Sequence, residues 1–111
     1  MGPSSLDDLF RALAASRRRA VCRYFESTGD DVADVADLVD FVVGEERGAR
    51  TDDPSEHRAE VAVGLHHVHL PRLDAAGLVE YDHRGGSVRY RGDSSAKAIL
   101  EELADGDVLC A

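Results

Sequence analysis

A chain of 111 residues is long enough for one modest core and too short for two independent domains. It carries 22 acidic residues against 13 basic ones, for a net charge of −9, and no apolar run approaches the roughly 18 residues of a membrane span. With nothing resembling a signal peptide either, the expected location is the cytoplasm, and the lysine-poor surface (Lys97 is the only lysine, and Asn, Gln and Trp are absent) suits a protein that stays soluble in concentrated salt.

Ser4 or Ser5 can cap a first helix, with Asp7 and Asp8 in its first turn where the macrodipole favours them. Leu6, Leu9, Phe10 and Leu13 then repeat at three and four, which makes one apolar stripe. Ser16 is the next candidate cap, opening a run from Arg17 to Ser27 with Ala20, Val21, Tyr24 and Phe25 as apolar positions, ended by Thr28-Gly29-Asp30-Asp31. The two runs can be separate helices or one bent helix.

Val32 begins a short strand or turn, and Val35, Leu38, Val39, Val42 and Val43 carry helical spacing to about Gly44. Glu45 to Pro54 is polar and glycine-containing, the best candidate for an exposed loop. Ser55, with Glu56 nearby, can start a long helix that runs to Ala76 and stops at Gly77. Within it Pro71 lacks a backbone donor, so it marks a kink or a tolerated break near the C-terminal end. Two strands then flank Gly85-Gly86; with those glycines as a two-residue turn, Asp82 faces Arg89, Tyr81 faces Tyr90 and Glu80 faces Arg91. Ser94 or Ser95 can cap a last helix, about 94–105, bearing Ala98, Ile99, Leu100 and Leu103, before a flexible tail at 106–111.

Helix, helix, helix, long helix, hairpin, helix is the order of a winged helix-turn-helix domain: mainly α with a small β-hairpin, an α+β class, over a core at about 6–92. The residues also carry a resemblance. Leu9-Phe10-Arg11-Ala12-Leu13-Ala14 with Arg17-Arg18-Arg19, and later His69-Leu70-Pro71-Arg72-Leu73 with Ala76-Gly77-Leu78-Val79-Glu80-Tyr81, resemble ArsR-type winged-helix regulators. The His-Leu-Pro-Arg-Leu version is closer still to small haloarchaeal winged-helix domains of uncharacterised function. The resemblance covers roughly Leu6 to Gly92 and implies a DNA-binding transcriptional regulator.

In the ArsR-like pattern the base-reading face lies just before the matched histidine, where this chain has Val63, Gly64, Leu65, His66, His67 and Val68. That departs from a polar reading face. Only His66 and His67 could bond a base edge, and His66, three and seven residues from His69 and Leu73, leans toward the core. Arg58, Arg72, Arg84, Arg89 and Arg91 are candidate phosphate contacts, and His83 and Arg84 at the hairpin tip suit a minor groove or a phosphate. Arg89 and Arg91 read as cross-strand partners of Asp82 and Glu80. Arg17, Arg18 and Arg19 open a helix, where positive charge is locally unfavourable, so either phosphates or acidic partners such as Asp34 and Asp37 should engage them. Net charge of −9 argues only weakly against DNA if the working medium is molar salt, where the Debye length is about 3 Å.

His66 and His69 share a helix face, and His57, Cys22 and Cys110 are the other soft ligands of note. No carboxylate or thiolate stands at matching spacing and no paired-cysteine motif occurs, so structural histidines are favoured, no metal or other cofactor is expected, and Cys22 reads as a small core residue with Cys110 in the tail. The G-x-S-x-G, P-loop and H-E-x-x-H patterns are missing, so no catalytic residue is proposed. The expected partner is double-stranded DNA, bound by a homodimer in which Leu6, Leu9, Phe10 and Leu13 pack with Ile99, Leu100 and Leu103 across a two-fold axis. The alternative is a winged-helix protein-interaction or dimerisation module without DNA. Ten acidic residues against two arginines between Glu26 and Asp53 favour it.

Overall fold

The computed structural model describes residues 6–47, 53–92 and 96–102. Helices α1 (Leu6–Ala12) and α2 (Ser16–Thr28) are followed by strand β1 (Val32–Asp34) and helix α3 (Val35–Glu46). Helix α4 (Pro54–Gly64) continues through a π-helical turn (Leu65–His69) into α5 (Leu70–Ala75), and strands β2 (Val79–Asp82) and β3 (Ser87–Tyr90) form the wing. Residues 96–102 are helical again. The fold is mainly α with a three-stranded antiparallel sheet in the order β1-β3-β2, an α+β arrangement of winged-helix type. The expected caps at Ser4, Ser5, Ser94 and Ser95, together with Leu103, Cys110 and the tail, lie outside the described residues.

α1 and α2 are separate helices, and the arginine cluster explains the joint. Arg18 Nε donates to the Ala12 carbonyl at 2.5 Å and its Nη2 to that of Arg11 at 3.3 Å. Arg19, buried, donates to the carbonyls of Leu13 at 2.9 Å and Ala14 at 3.0 Å. The last carbonyls of a helix have no partner within it, and these two guanidinium groups supply one. Ser16 is not the cap of α2: Ala15 holds that position without a side-chain bond, and Ser16 is the first helical residue. The third arginine reaches neither Asp34 nor Asp37. Arg17 clamps Glu46 at the end of α3 through two bonds of 2.8 and 2.9 Å and reaches Glu60 on α4 at 3.2 Å.

α3 runs two residues beyond Gly44, because the glycine turns no corner and Glu46 is held by that clamp. The next helix begins earlier than Ser55. Asp53 is its cap, accepting from the Ser55 amide at 2.8 Å and the Ser55 hydroxyl at 2.6 Å, while Pro54 occupies the first turn, where its missing N–H costs nothing. The long helix is interrupted in the π turn, where the Leu70 N–H bonds the Leu65 carbonyl five residues back. Pro71 follows at once: it cannot donate, and its ring crowds the carbonyl four residues before it, so the wider turn relieves a helix that proline would otherwise break. Gly77, at φ 81°, ends α5.

Leu13, Val21, Leu38, Val42, Val61, Leu65, Leu70, Leu73, Leu78 and Val88 are fully enclosed, so α2, α3, the α4–α5 arm and the wing share one core. Cys22 belongs to that core, and burial pushes its thiol up to about 12, which leaves it unreactive at neutral pH. Leu9, Leu13, Ile99 and Leu100 also face inward. Of the apolar residues assigned to a dimer face, Leu6 and Phe10 are the exposed ones among those described.

The hairpin register differs from the expected one by two residues: Val79 faces Tyr90, Glu80 faces Arg89, Tyr81 faces Val88 and Asp82 faces Ser87. Asp82 is the reason. Its Oδ1 accepts from the amides of Arg84 and Gly85, each at 3.1 Å, and its carbonyl accepts from Gly86 at 2.9 Å, closing a four-residue turn with Gly86 at φ 71°. Asp82 therefore does not pair with Arg89; Glu80 takes both Arg91 at 2.5 Å and Arg89 at 3.9 Å. Replacing Asp82 with alanine should cost about 1 kcal/mol in urea unfolding, and asparagine, which keeps the turn acceptor, less than half of that.

Candidate nucleic-acid interface

α3 and α4 form the helix pair of the winged-helix arrangement, and the α4–α5 arm is its second member. On that arm Val63 is 59 % exposed and Val68 43 %, with His67 exposed between them in the chain. His66 is half-buried, its Nδ1 2.6 Å from the Tyr81 hydroxyl of β2, so it ties the π turn to the wing. His69 points the other way, 3.3 Å from Arg18 Nη1. Burial first, then the positive charges of Arg18, Arg17 and Arg72, hold the His69 imidazole below its ordinary pKa, so it serves as a neutral acceptor.

The candidate cations divide by partner. Arg58 is exposed and paired with Asp40 of α3. Arg72 is exposed near the end of the arm. His83 and Arg84 are exposed at the wing tip, and Arg84 has no carboxylate partner among the described residues. Arg17 and Arg18 are held within the fold as above.

The fold brings three of the predicted residues together. His66, His67 and His83 line a cleft of about 670 Å³ between the π turn and the wing, with Asp74 and Tyr81. Pro71 and Ala75 supply its apolar wall. Asp74 Oδ2 accepts from the Tyr81 amide at 2.9 Å, so Tyr81 is fixed at backbone and hydroxyl alike. Sequence reasoning passed over Asp74 and Tyr81. The available signal was an aspartate placed three residues before the helix-ending glycine, where it can reach the strand that follows. Arg58 and His66 meet in a second groove of about 500 Å³, closed by Gly85 and Gly86 of the wing turn and by Asp34. Among the described residues no group of three or more His, Cys, Asp or Glu side chains is arranged to hold a metal ion.

Residues 10–89 match the family described as a domain of unknown function, DUF7344. The chain belongs to that family. The matched span runs from Phe10 on α1 to Arg89 on β3, so it takes in both helices of the pair, the π turn and the wing. No curated protein and no solved structure matches the chain. No helix among the described residues is long and apolar enough to cross a membrane.

Proposed function

We propose that this member of DUF7344 is a DNA-binding transcriptional regulator of the winged-helix type, ArsR-like and of haloarchaeal kind, acting in the cytoplasm on double-stranded DNA as a homodimer. The observation that carries the reading is the wing tip. The Asp82-capped turn holds Arg84 and His83 exposed at the end of a short, rigid hairpin, with no carboxylate near enough to pair Arg84 among the described residues. A guanidinium so presented suits a phosphate or a minor groove, while His67 on the arm can address a base edge. Leu6 and Phe10, exposed one turn apart on α1, support a two-fold contact.

Fluorescence anisotropy with fragments of the source genome, over a potassium chloride series, tests this directly. Arg84→Ala should weaken binding about fivefold and lower the salt slope by about 1, whereas His67→Ala should reduce discrimination between fragments. Absence of binding to any fragment across the series would refute it. A second reading, a protein-interaction module, is favoured by exposed Val63 and Val68 on an arm that also carries Glu56 and Glu60. Under that reading Val63→Asp would abolish association with the partner protein and leave the DNA assay unchanged.

A further inference from the structure

Three features converge on the cleft between the arm and the wing. The first is the π turn, an irregularity that recurs at functional sites and here carries His66 and His67. The second is size: about 670 Å³ falls within the range of small-molecule sites. The third is a lining held in place before any ligand arrives, since Tyr81 is bonded to Asp74 through its amide at 2.9 Å and to His66 through its hydroxyl at 2.6 Å.

The lining also selects a chemistry. The Tyr81 ring lies 6.1 Å from that of His66 and 6.3 Å from that of His83, both tilted, which leaves flat aromatic faces along one side. Pro71 and Ala75 add apolar surface. Among the described residues no arginine or lysine lines the cleft, and its permanent charge is the Asp74 carboxylate, so an anionic ligand is disfavoured and a donor N–H is welcomed. We propose that this cleft binds a planar nitrogen heteroaromatic, neutral or cationic, of the nucleobase class, and that its occupation excludes DNA. The second clause rests on the regulator reading above, because His67 and His83 serve both the cleft and the proposed DNA contacts.

Stacking and one carboxylate contact depend little on long-range charge, so binding survives concentrated salt. The test is titration of the full chain, free of DNA, with adenine by calorimetry and by NMR of isotope-labelled histidine and tyrosine side chains. Saturable one-to-one binding is expected, with shifts at His66, His67, His83 and Tyr81, and with benzoate and inorganic phosphate not competing. Ala75 is exposed, so Ala75→Trp should fill the cleft without disturbing the core and weaken adenine at least about tenfold at an unchanged melting temperature. Asp74→Asn should weaken it about fivefold. Failure of adenine to saturate, or equal binding by Ala75→Trp protein, would overturn the site. The anisotropy assay is then repeated with adenine present: displacement of DNA supports exclusion, and unchanged DNA affinity overturns it. If adenine binds and no fragment does, the ligand site stands, while the regulator reading and the exclusion fall together.

Discussion

Replacing Glu46 with alanine lowers the unfolding free energy by about 3 kcal/mol at neutral pH, because it leaves the Arg17 guanidinium and the buried His57 ring without their shared partner at a point where α2, α3 and α4 meet. Arg17 holds the Glu46 carboxylate through two bonds of 2.8 and 2.9 Å, and the Nε2 of His57, a residue 4 % exposed, lies 2.9 Å from the same group. Hydrogen bonding from Arg17, opposed by burial and reinforced by His57, holds the Glu46 pKa down at about 2 from the usual 4.5. Since the folded value lies below the unfolded one, this stabilisation is complete above about pH 4.5 and is lost as pH falls through about 2. Urea unfolding of wild-type and Glu46→Ala protein should therefore show a gap that is widest at neutral pH and narrows steadily between pH 4.5 and 2. A gap independent of pH would mean that Glu46 acts through packing alone.

Phe25→Ala should cost more, about 4 kcal/mol, by removing a large buried ring that joins helix to wing. Phe25 is 2 % exposed and stacks on Tyr90 of β3 with ring centroids 5.1 Å apart and an interplanar angle of 1°. Tyr24 meets it edge-on at 5.4 Å. The truncation leaves a cavity and frees the end of β3, so chemical unfolding should shift by the full amount and amide exchange should rise along Ser87–Tyr90 before it rises in α3. Tyr90→Phe provides the contrast. It keeps the stack and loses an exposed hydroxyl bond to Glu26 of 2.8 Å, so its cost should stay below about 1 kcal/mol.

What the sequence made legible was local. Gly29 and Gly77 end helices because each takes a left-handed backbone conformation directly after a helical apolar run, and the alternation in β2 and β3 places Val79 and Val88 inward. The hairpin register failed by two residues rather than one, which kept every side chain on its expected face and moved only the partners. Asp82 decided that shift, and an aspartate's preference for bonding its own turn over pairing across a strand is a competition that spacing alone does not resolve. The remaining surprises are contacts between distant residues. Arg17 meets Glu46 from 29 positions away, and β1 pairs with β3 although the whole arm lies between them in the chain. The cleft belongs to the same class: His66 and His67 were visible as candidates, but their convergence with Tyr81 and Asp74 depends on the π turn within the arm.

That turn is written into the arm's inward-facing residues. Val61, Leu65, Leu70 and Leu73 are all fully enclosed, yet their spacings are four, five and three. A regular helix would carry Leu70 off the buried side, and the π turn returns it by absorbing one surplus residue. The segment therefore behaves as a helix with a single-residue insertion, and its two halves keep separate registers. Shortening it by one residue between Leu65 and Leu70 would return the arm to an ordinary ladder and erase the shelf on which His66 and His67 stand. Chain length within this one turn, more than the identity of either histidine, fixes whether the cleft exists.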